Sequence, residues 1–388
     1  MISRADQSVL TNWWYSVDRT LLSMIVVLAV CGAAVSLAAT PAAALRFGVE
    51  PFYFAKRHAA TLAAALLVII AVSMLDPRSI RRLALVLFTV GVVVMAAALV
   101  QGIERNGATR WFFFAGLVIQ PSEFAKPGFV VLSAWLLSES LRRPDMPGLP
   151  FALALLALFC GLLVLQPDMG QALLIAAIWA GLFFLSGYPM TYVPLVAGVG
   201  VAGMALAYVT LPHFASRIDR FFGGGDTHQA DVATAIFREA GWFGNGLGDV
   251  FTRSRLPDAH NDYIFAALAG QLGIAACLFI ILLYALIVWR GMKAATREQH
   301  MFTRLAVLGL IMLFGFQLLT NIAVNLNLLP AKGMTLPFLS YGRSSLLGTA
   351  VSLGMVLSLT RRWPESRLSP DPYAQVQVGL VPFEGVRR

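Results

Sequence analysis

The sequence predicts an all-α integral membrane protein, a bundle of about ten transmembrane helices with one large extracytoplasmic loop. Hydrophobic residues make up 58% of the 388 residues, charged residues only 13%, and long apolar runs recur along the chain. A soluble domain carries roughly 25% charged residues. Because lipid offers no partner for backbone N–H and C=O groups, the apolar runs are expected to cross the bilayer as helices of one membrane domain.

The predicted spans follow apolar runs near the roughly 20 residues that a helix needs to cross a bilayer. They are residues 21–39, 59–75, 82–101, 121–138, 150–165, 170–187, 190–211, 263–289, 304–325 and 343–360. The first run is too long for a signal-peptide core, so we expect it to anchor the chain. Residues 1–20 form a predicted cytoplasmic segment, residues 21–362 the membrane domain, and residues 363–388 a disordered cytoplasmic tail rich in proline and charge.

Basic residues predict the orientation, since Lys and Arg concentrate in cytoplasmic loops. A cytoplasmic N-terminus puts this set on the inner side: Arg78, Arg81, Arg82, Arg142, Arg143, Arg290, Lys293, Arg297, Arg304, Arg361 and Arg362. The short outer loops hold a smaller set: Arg46, Lys56, Arg57, Arg105, Arg110, Lys332 and Arg343. Both termini are therefore predicted to be cytoplasmic. The net charge of +9 is partly topological, and no nucleic-acid partner is expected.

Cysteine and histidine usage predicts no metal centre. Cys31, Cys160 and Cys277 each lie alone in an apolar run, without pairing or metal-ligand spacing. We interpret them as small buried side chains. The five histidines are scattered and form no ligand cluster.

The large outer loop, residues 212–262, is too long to be an ordinary connection, and long loops are commonly functional. Within residues 229–240, four apolar positions recur at helical spacing: Val232, Ala235, Ile236 and Phe237. This pattern predicts a short amphipathic helix at the membrane interface. G-N-G-L-G (Gly244 to Gly248) predicts turns, and it lacks the strand–helix unit of a dinucleotide site.

The outer loop from Gln101 to Gln120 leads into the helix start Q-P-S-E-F-A-K. Pro121 suits the first helical turn, where its missing N–H costs nothing. Glu123 and Lys126 are three residues apart and share a helix face. Neither charge tolerates lipid alone, so a mutual ion pair facing the bundle is predicted.

A third outer loop runs from Asn325 to Gly342 and reads N-L-N-L-L-P-A-K-G-M-T-L-P-F-L-S-Y-G, with Lys332 at its tip. Its prolines and glycines exclude a plain span. Non-helical backbone at membrane depth is tolerated where it lines a cavity.

Asp262, in A-H-N-D-Y-I-F, stands where the large loop re-enters an apolar run. A charge at a membrane boundary is costly, so an ionisable residue there is a functional candidate. The alternative is an acid that compensates the dipole at the start of the next helix.

Four stretches in this order resemble the SEDS family (shape, elongation, division and sporulation), the membrane-embedded peptidoglycan polymerases. They are N-G-A-T-R-W with Q-P-S-E-F-A-K, L-Q-P-D-M-G, G-N-G-L-G with P-D-A-H-N-D-Y-I-F, and L-P-A-K-G-M-T-L-P-F-L-S-Y-G. F-Y-F-A-K-R-H (Phe52 to His58) favours the division-type members over the elongation-type ones.

The chain departs from the family pattern at several positions. Asn261 and Tyr263 flank the aspartate where the family reads H-T-D-F, and Gly270-Gln271 replaces a pair of acids. Arg343 occupies a glycine position, and Val232-Ala233 replaces Gln-Ser in the large loop. We expect these departures to affect loop contacts and catalytic efficiency more than the fold.

The resemblance implies that the protein joins the disaccharide of lipid II to a growing glycan strand and releases a polyprenyl diphosphate. Asp262 matches the catalytic aspartate of the family, which implies a general base. A diphosphate is already a weak base, so one carboxylate is enough where ordinary glycosidases need two. Direct displacement inverts the anomeric centre.

The resemblance also assigns roles to other residues. Arg110, Lys126 and Lys332 match cationic positions and are expected to bind phosphates. Glu123, Asp168, His260 and Ser340 are supporting residues. Alternatives remain: Lys126 pairs with Glu123, Arg110 anchors the loop beside Trp111, Asp168 caps a helix, and His260 is a loop hydrogen-bonder. No cofactor is expected, although a divalent cation such as Mg²⁺ is left open as an aid to the diphosphate.

The implied partners are a class B penicillin-binding transpeptidase and other divisome membrane proteins, at the septum of the bacterial cytoplasmic membrane. Two other classes compete with the enzyme hypothesis: a lipid II flippase and a non-catalytic divisome scaffold. Transporters often show repeats and broken helices at the bilayer midplane. The ionisable residues here gather on one side, which favours chemistry at the outer face.

Overall fold

The computed structural model describes residues 8–46, 48–105, 108–114, 117–143, 145–189, 191–223, 228–246, 262–330 and 334–361. The helices of this part of the chain are α1 (Val9–Ser16), α2 (Arg19–Arg46), α3 (Tyr53–Ser73), α4 (Pro77–Gln101), α5 (Pro121–Arg142), α6 (Gly148–Leu165), α7 (Met169–Leu185), α8 (Tyr192–Thr210), α9 (Pro212–Phe222), α10 (His228–Glu239), α11 (Ile264–Ala295), α12 (Met301–Asn325) and α13 (Arg343–Leu359). Three strands lie between α4 and α5: β1 (Ile103–Arg105), β2 (Ala108–Phe114) and β3 (Leu117–Ile119).

The helical membrane architecture is confirmed. Seven of the described helices are long and apolar enough to cross a membrane: α2, α3, α4, α6, α8, α11 and α12. Helices α7 and α13 are apolar but shorter, and α5 carries charges. Each predicted span coincides with one of these helices, while the count of ten stays a prediction.

Helix α5 forms the centre of the bundle and packs against α4, α6, α12 and α13. Almost every residue from Pro121 to Ser138 is buried. Small residues allow the close approach, since a Cβ on Gly128 would lie 2.6 Å from the carbonyl oxygen of Ala84 in α4. A helix that is buried all round cannot be recognised by an amphipathic pattern, and α5 has none.

Helix α11 is broken near its start, at Gly273, whose backbone has φ 82° and ψ 177°. The segment 241–246 bonds to the backbone on both sides of this break, as in the bond from Asn245 N to Gly270 O (2.9 Å). The result is a short half-helix, residues 264–272, with Asp262 directly before it.

Contacts between helix ends show which ends lie together. Arg290, near the end of α11, donates two hydrogen bonds to Asp18 (2.8 and 3.2 Å), just before α2. Arg361, just past α13, donates to Ser16 Oγ (3.0 Å) and to the carbonyl of Met74 after α3 (3.1 Å). The ends of α11 and α13 therefore meet around residues 16–18, at what we call the basal end.

The starts of α11 and α13 lie at the opposite end, which we call the site end. Asp262 precedes α11, and the last residue of α12, Asn325, is bonded to it. Ser344, in the first turn of α13, accepts a hydrogen bond from the backbone N–H of Gln120, just before α5 (3.0 Å). The site end thus gathers the starts of three helices, while the predicted inner arginines Arg290 and Arg361 lie at the basal end.

Two predicted loops contain regular structure. Residues 101–120 include an antiparallel sheet of order β1-β2-β3, in which Phe112 faces Ile119. The large loop contains α10, which confirms the predicted helix at 229–240. It also contains α9, which was not predicted. Ala233 and Ile236 of α10 are buried and the helix packs against α11 and α12, so the protein covers much of its apolar face.

The structure describes part of the predicted N-terminal segment and none of the predicted tail. Residues 8–20, within the predicted N-terminal segment, contain α1 and the start of α2. The predicted tail, residues 363–388, lies outside the described residues. Among the cysteines, all free thiols, Cys277 is buried as interpreted, whereas Cys31 and Cys160 are only partly buried.

Candidate active site

Asp262 is held through its backbone by two asparagines of α12. Its carbonyl oxygen accepts hydrogen bonds from the Nδ2 atoms of Asn325 (2.8 Å) and Asn321 (3.0 Å). Both asparagines are buried, with exposed fractions of 1% for Asn321 and 0% for Asn325. Asp262, which is half-buried, therefore has a fixed backbone position at the site end.

The third outer loop is not a plain span, as predicted, and its described parts are residues 325–330 and 334–342. The second of these parts re-enters the bundle. Phe338 is completely buried, with φ of 65°, and its carbonyl oxygen lies 3.1 Å from His58 Nε2 of α3. Tyr284, in the middle of α11, donates a hydrogen bond to the carbonyl of Pro337. A Cβ on Gly32 of α2 would overlap the Phe338 carbonyl oxygen. Non-helical backbone is therefore enclosed by protein on several sides.

Ser340 has a structural position within this loop. Its Oγ accepts a hydrogen bond from Leu336 N (2.8 Å), and its own N–H donates to the Leu336 carbonyl (3.0 Å). These bonds close the turn that brings the chain to α13. Arg343 begins α13 and is partly exposed.

A buried network joins α5 to α7. Lys126 Nζ lies 2.7 Å from Glu123 Oε2, which confirms the predicted ion pair. Gln171 completes a triangle: its Oε1 accepts from Lys126 (3.2 Å) and its Nε2 donates to Glu123 (3.2 Å). The two charged side chains are only 2% and 4% exposed, so each depends on the other for its charge to be tolerated.

Arg110 and Asp168 form a second buried pair beside the first. Arg110 lies on β2, with a guanidinium nitrogen 3.5 Å from the Asp168 carboxylate. It also donates to the carbonyl of Gln166 (3.2 Å) and to that of Pro167. Gln120 Nε2 is 3.5 Å from the other carboxylate oxygen. Burial raises the pKa of the Asp168 carboxyl, and the positive charge of Arg110 opposes that rise.

Asp168 occupies the N-cap position of α7, as the cap hypothesis held. The backbone N–H of Gln171 is close enough to oppose the rise that burial causes in the pKa of its carboxyl, although the geometry falls short of a capping hydrogen bond. The carboxylate also pairs with Arg110, whose side chain reaches from β2 to the junction of α6 and α7. Arg110 does anchor its segment, as one hypothesis held, although it binds the α6–α7 junction.

The structure thus brings Asp262, Arg110, Lys126, Glu123, Asp168 and Ser340 to one end of the bundle. His260 and Lys332, the other two predicted site residues, lie outside the described residues. Where the chain is described, no group of three His, Cys, Asp or Glu side chains is placed to hold a metal ion. An apolar crevice of about 210 Å³ lies between α7 and α12, and it begins two residues after Asp168, at Gly170.

Four residues of this site were missed in the sequence: Gln120, Gln171, Asn321 and Asn325. A signal was present for three of them, since Gln171, Asn321 and Asn325 are polar side chains within apolar runs. Polar groups in a membrane helix usually face the bundle interior and find partners there. Their particular partners could not be predicted, because those partners come from distant parts of the chain.

The fold and site define a helical membrane protein with a carboxylate-bearing turn, a re-entrant loop and two buried ion pairs at one end. Similarity to known proteins places it more closely. The chain belongs to the FtsW/RodA/SpoVE family of cell cycle proteins, and the match covers residues 19–363.

Relatives are similar over nearly their whole length. A Caulobacter vibrioides (strain NA1000 / CB15N) protein named "Probable peptidoglycan glycosyltransferase FtsW" is 39% identical over 365 residues, covering 93% of this chain and 94% of the relative. A protein of the same name from Alcanivorax borkumensis (strain ATCC 700651 / DSM 11573 / NCIMB 13689 / SK2) is 33% identical over 358 residues, covering 88% and 92%.

Solved structures show the same fold. One, described as "Structural coordination of polymerization and crosslinking by a peptidoglycan synthase complex", has a TM-score of 0.74 at 26% identity, covering 89% of this chain and 97% of that one. The rod shape determining protein RodA of Thermus thermophilus has a TM-score of 0.66 at 27% identity, with the same coverage.

Proposed function

We propose that this protein is a peptidoglycan glycosyltransferase that polymerises lipid II at the outer face of the bacterial cytoplasmic membrane during cell division. Family membership and the names of the relatives support the activity and the division role. The observation that carries the proposal is the shared location of Asp262, the re-entrant loop and the buried charges, at the end opposite Arg290 and Arg361.

In the proposed step, a hydroxyl group of one sugar attacks the anomeric carbon of the donor sugar. The new C–O bond forms while the bond to the polyprenyl diphosphate breaks, and the bonding electron pair leaves with the diphosphate. Asp262 accepts the hydroxyl proton as general base, which typically contributes about 10²–10⁴-fold. The diphosphate leaves without a proton from the protein, and the displacement inverts the anomeric centre.

The cationic residues divide into two groups in this proposal. Arg110 and Lys126 are buried and already engaged by carboxylates, so we assign them the task of holding the site's charged framework. Lys332 lies on the same loop as the re-entrant segment, and we assign it contact with the diphosphate. A cation beside the leaving group stabilises the negative charge that develops there. A divalent cation as a further aid stays a prediction, which a chelator in the polymerisation assay would test.

The apolar crevice between α7 and α12 supports a lipid-linked substrate. Six of its seven lining residues are apolar, among them Leu173 and Leu319. The seventh, Thr320, donates its hydroxyl to the carbonyl of Phe316 (2.7 Å). An acyl or prenyl chain is compatible with such a surface. The crevice begins at the site end, beside Asp168.

The test is polymerisation of fluorescent lipid II by the purified protein in detergent, with and without the class B transpeptidase that we propose as its partner. Asp262→Asn is expected to lower turnover at least about 100-fold. Asp145→Asn is the matched control, because Asp145 is exposed and follows the far end of α5. Turnover retained by Asp262→Asn would refute the general base.

The same assay separates the alternative functions. Detergent provides no second leaflet, so a flippase would make no glycan there. A scaffold would make no glycan either, and its Asp262 substitutions would be silent in cells. Glycan made by the native protein and lost in Asp262→Asn excludes both.

A further inference from the structure

We infer that Asn321 and Asn325 are positioning residues, which hold Asp262 and the re-entrant loop in one fixed arrangement. The inference rests on the proposed function, in which Asp262 is the general base. It concerns how the bundle places that base, and it is carried by hydrogen bonds that α12 makes at the start of α11.

The Asn325 side chain replaces a hydrogen bond of a helix. In a continuous α-helix, the N–H of residue 266 would donate to the carbonyl of residue 262. Here Ala266 N donates to Asn325 Oδ1 (3.1 Å), and Asn325 Nδ2 donates to the Asp262 carbonyl (2.8 Å). The carboxamide therefore stands between the two groups, and regular helix begins at Ile264.

This insertion keeps Asp262 outside the helix. The first regular backbone bond at this point runs from Ala267 N to Tyr263 O (3.1 Å). Without the amide, the N–H of Ala266 loses its acceptor and the carbonyl of Asp262 loses one of its two amide donors. The backbone at Asp262, and with it the direction of its carboxylate, is then held less firmly.

Asn321 connects Asp262 to the re-entrant loop. Its Nδ2 atom donates both to the Asp262 carbonyl (3.0 Å) and to the carbonyl of Met334 (2.7 Å). Met334 follows Lys332 by two residues. One side-chain amide therefore sets the distance between the proposed base and the loop that carries the proposed phosphate-binding lysine.

The two asparagines also hold each other. Asn325 Nδ2 lies 2.9 Å from the Asn321 carbonyl and 3.2 Å from Asn321 Oδ1. A buried amide is costly unless its donors and acceptors are satisfied, and here they satisfy one another and Asp262. The pair is rigid as a result, and rigid support is what a catalytic group requires, since a misplacement of about 1 Å can cost about 100-fold in rate.

The test uses Asn321→Leu and Asn325→Leu, which keep the approximate size and remove the hydrogen bonds. The matched control is Gln317→Leu, which removes another buried amide one turn earlier on α12. We expect kcat to fall about 10- to 100-fold in the two asparagine variants, with KM changed less than about threefold. Gln317→Leu is expected to keep native kcat.

A second measurement does not depend on activity. Hydrogen exchange of the peptide covering residues 263–268 is expected to accelerate in Asn325→Leu and to stay native in Gln317→Leu, because Ala266 N loses its acceptor. If Asn325→Leu does not extract as a folded protein, Asn325→Ser removes the same bonds with less apolar bulk and is expected to give the same result.

The outcomes separate this inference from the proposed function. Native kcat and native exchange in the asparagine variants, beside an inactive Asp262→Asn, overturn the positioning role alone. An equal loss of kcat in Gln317→Leu also overturns it, because the effect is then general to buried amides of α12. An active Asp262→Asn refutes the base itself, and the inference with it.

A separate observation concerns the turn at residues 241–246, which we call the aromatic turn. Its backbone bonds to α11 on both sides of the break at Gly273, including Ile274 N to Gly241 O (3.1 Å) and Ala275 N to Trp242 O (3.2 Å). Gly244 has φ of 74°, and a Cβ there would lie 2.5 Å from the Gln271 carbonyl oxygen. The turn is therefore tightly fixed on α11.

The two aromatic side chains of this turn are exposed: Trp242 by 66% and Phe243 by 85%. Leu272, Leu278 and Phe279 give α11 exposed apolar side chains at and just beyond the place where the turn is bonded to it. Because α11 is long and apolar enough to cross a membrane, those side chains face lipid. We propose that the aromatic turn inserts Trp242 and Phe243 into the interfacial region of the leaflet at the site end, where aromatic side chains concentrate.

The test is nitroxide labelling of Phe243→Cys in lipid nanodiscs, in a protein whose three native cysteines are replaced by serine. Collision with oxygen is expected to exceed collision with a water-soluble nickel chelate. Phe279→Cys serves as the lipid-facing control and Glu50→Cys as the exposed control. Nickel accessibility equal to that of Glu50→Cys, or protection from both reagents, would overturn the proposal.

Discussion

The Lys126–Glu123 and Arg110–Asp168 pairs of the site end are buried, whereas the Arg290–Asp18 pair of the basal end is partly exposed. The site end also has an exposed pair, Lys56 with Glu50. At the site end, the side chains of Lys126, Glu123, Arg110 and Asp168 are 2% to 10% exposed. At the basal end, Arg290 is 28% exposed and pairs with Asp18 through two hydrogen bonds. Water therefore reaches the Arg290–Asp18 pair but hardly reaches the two buried pairs.

The difference separates two uses of charge. The attraction within a buried ion pair offsets the cost of desolvation only when the geometry is good. Apolar residues of similar size would often stabilise the bundle equally. Two such pairs side by side are therefore better explained by the site they build than by stability. The basal pair instead joins the start of α2 to the end of α11, a connection that partly hydrated charges make at small cost.

The largest effect is expected when one member of a buried pair is removed. Lys126→Met leaves Glu123 charged and buried, and should lower the free energy of unfolding by about 3–5 kcal/mol. Adding Glu123→Gln should restore much of that stability while glycan synthesis stays impaired. Thermal unfolding and polymerisation measured on both proteins check this. A double variant with native activity would show that the pair is structural only.

A smaller effect is expected from Lys332, the predicted phosphate-binding lysine of the third outer loop. Lys332→Ala should lower turnover about 100-fold without loss of stability, since it removes positive charge near the leaving diphosphate. Lys56→Ala is the matched control, because Lys56 lies in the first turn of α3 at the same end and is exposed. Equal activity in the two variants would remove Lys332 from the mechanism.

The smallest effect is expected at the basal end. Arg290→Gln should lower the free energy of unfolding by about 1 kcal/mol, since the pair it breaks is partly hydrated. Turnover of lipid II should stay native. A loss of activity as large as that of Lys332→Ala would contradict the division of the bundle into a structural end and a site end.

Much of the site could be predicted from short sequence spacings. Glu123 and Lys126 pair because residues three apart on a helix are neighbours, and Pro121 starts the helix that carries them. The loop ending at Gly342 was predicted to avoid a plain span from its prolines and glycines, and it does so. In each case the partners are local, so the covalent chain already brings them together.

The partners of Arg110 and of Asp262 could not be predicted in this way. Arg110 meets Asp168 across 58 positions of sequence, because its side chain reaches from β2 to the junction of α6 and α7. Asn321 and Asn325 reach Asp262 because α12 ends where α11 begins. The sheet itself was missed, since its strands occupy a stretch interpreted as a loop.

The chain's own composition and spacing determined that it lies in a membrane as helices, with its charges concentrated at helix ends, because lipid excludes unpaired backbone and isolated charge. Only the tertiary structure decided which polar side chains form hydrogen bonds with each other. The sequence positions of Asn and Gln do not indicate which distant residue they will contact. Only the packing of α5, α7, α11 and α12 brings those partners within hydrogen-bond distance.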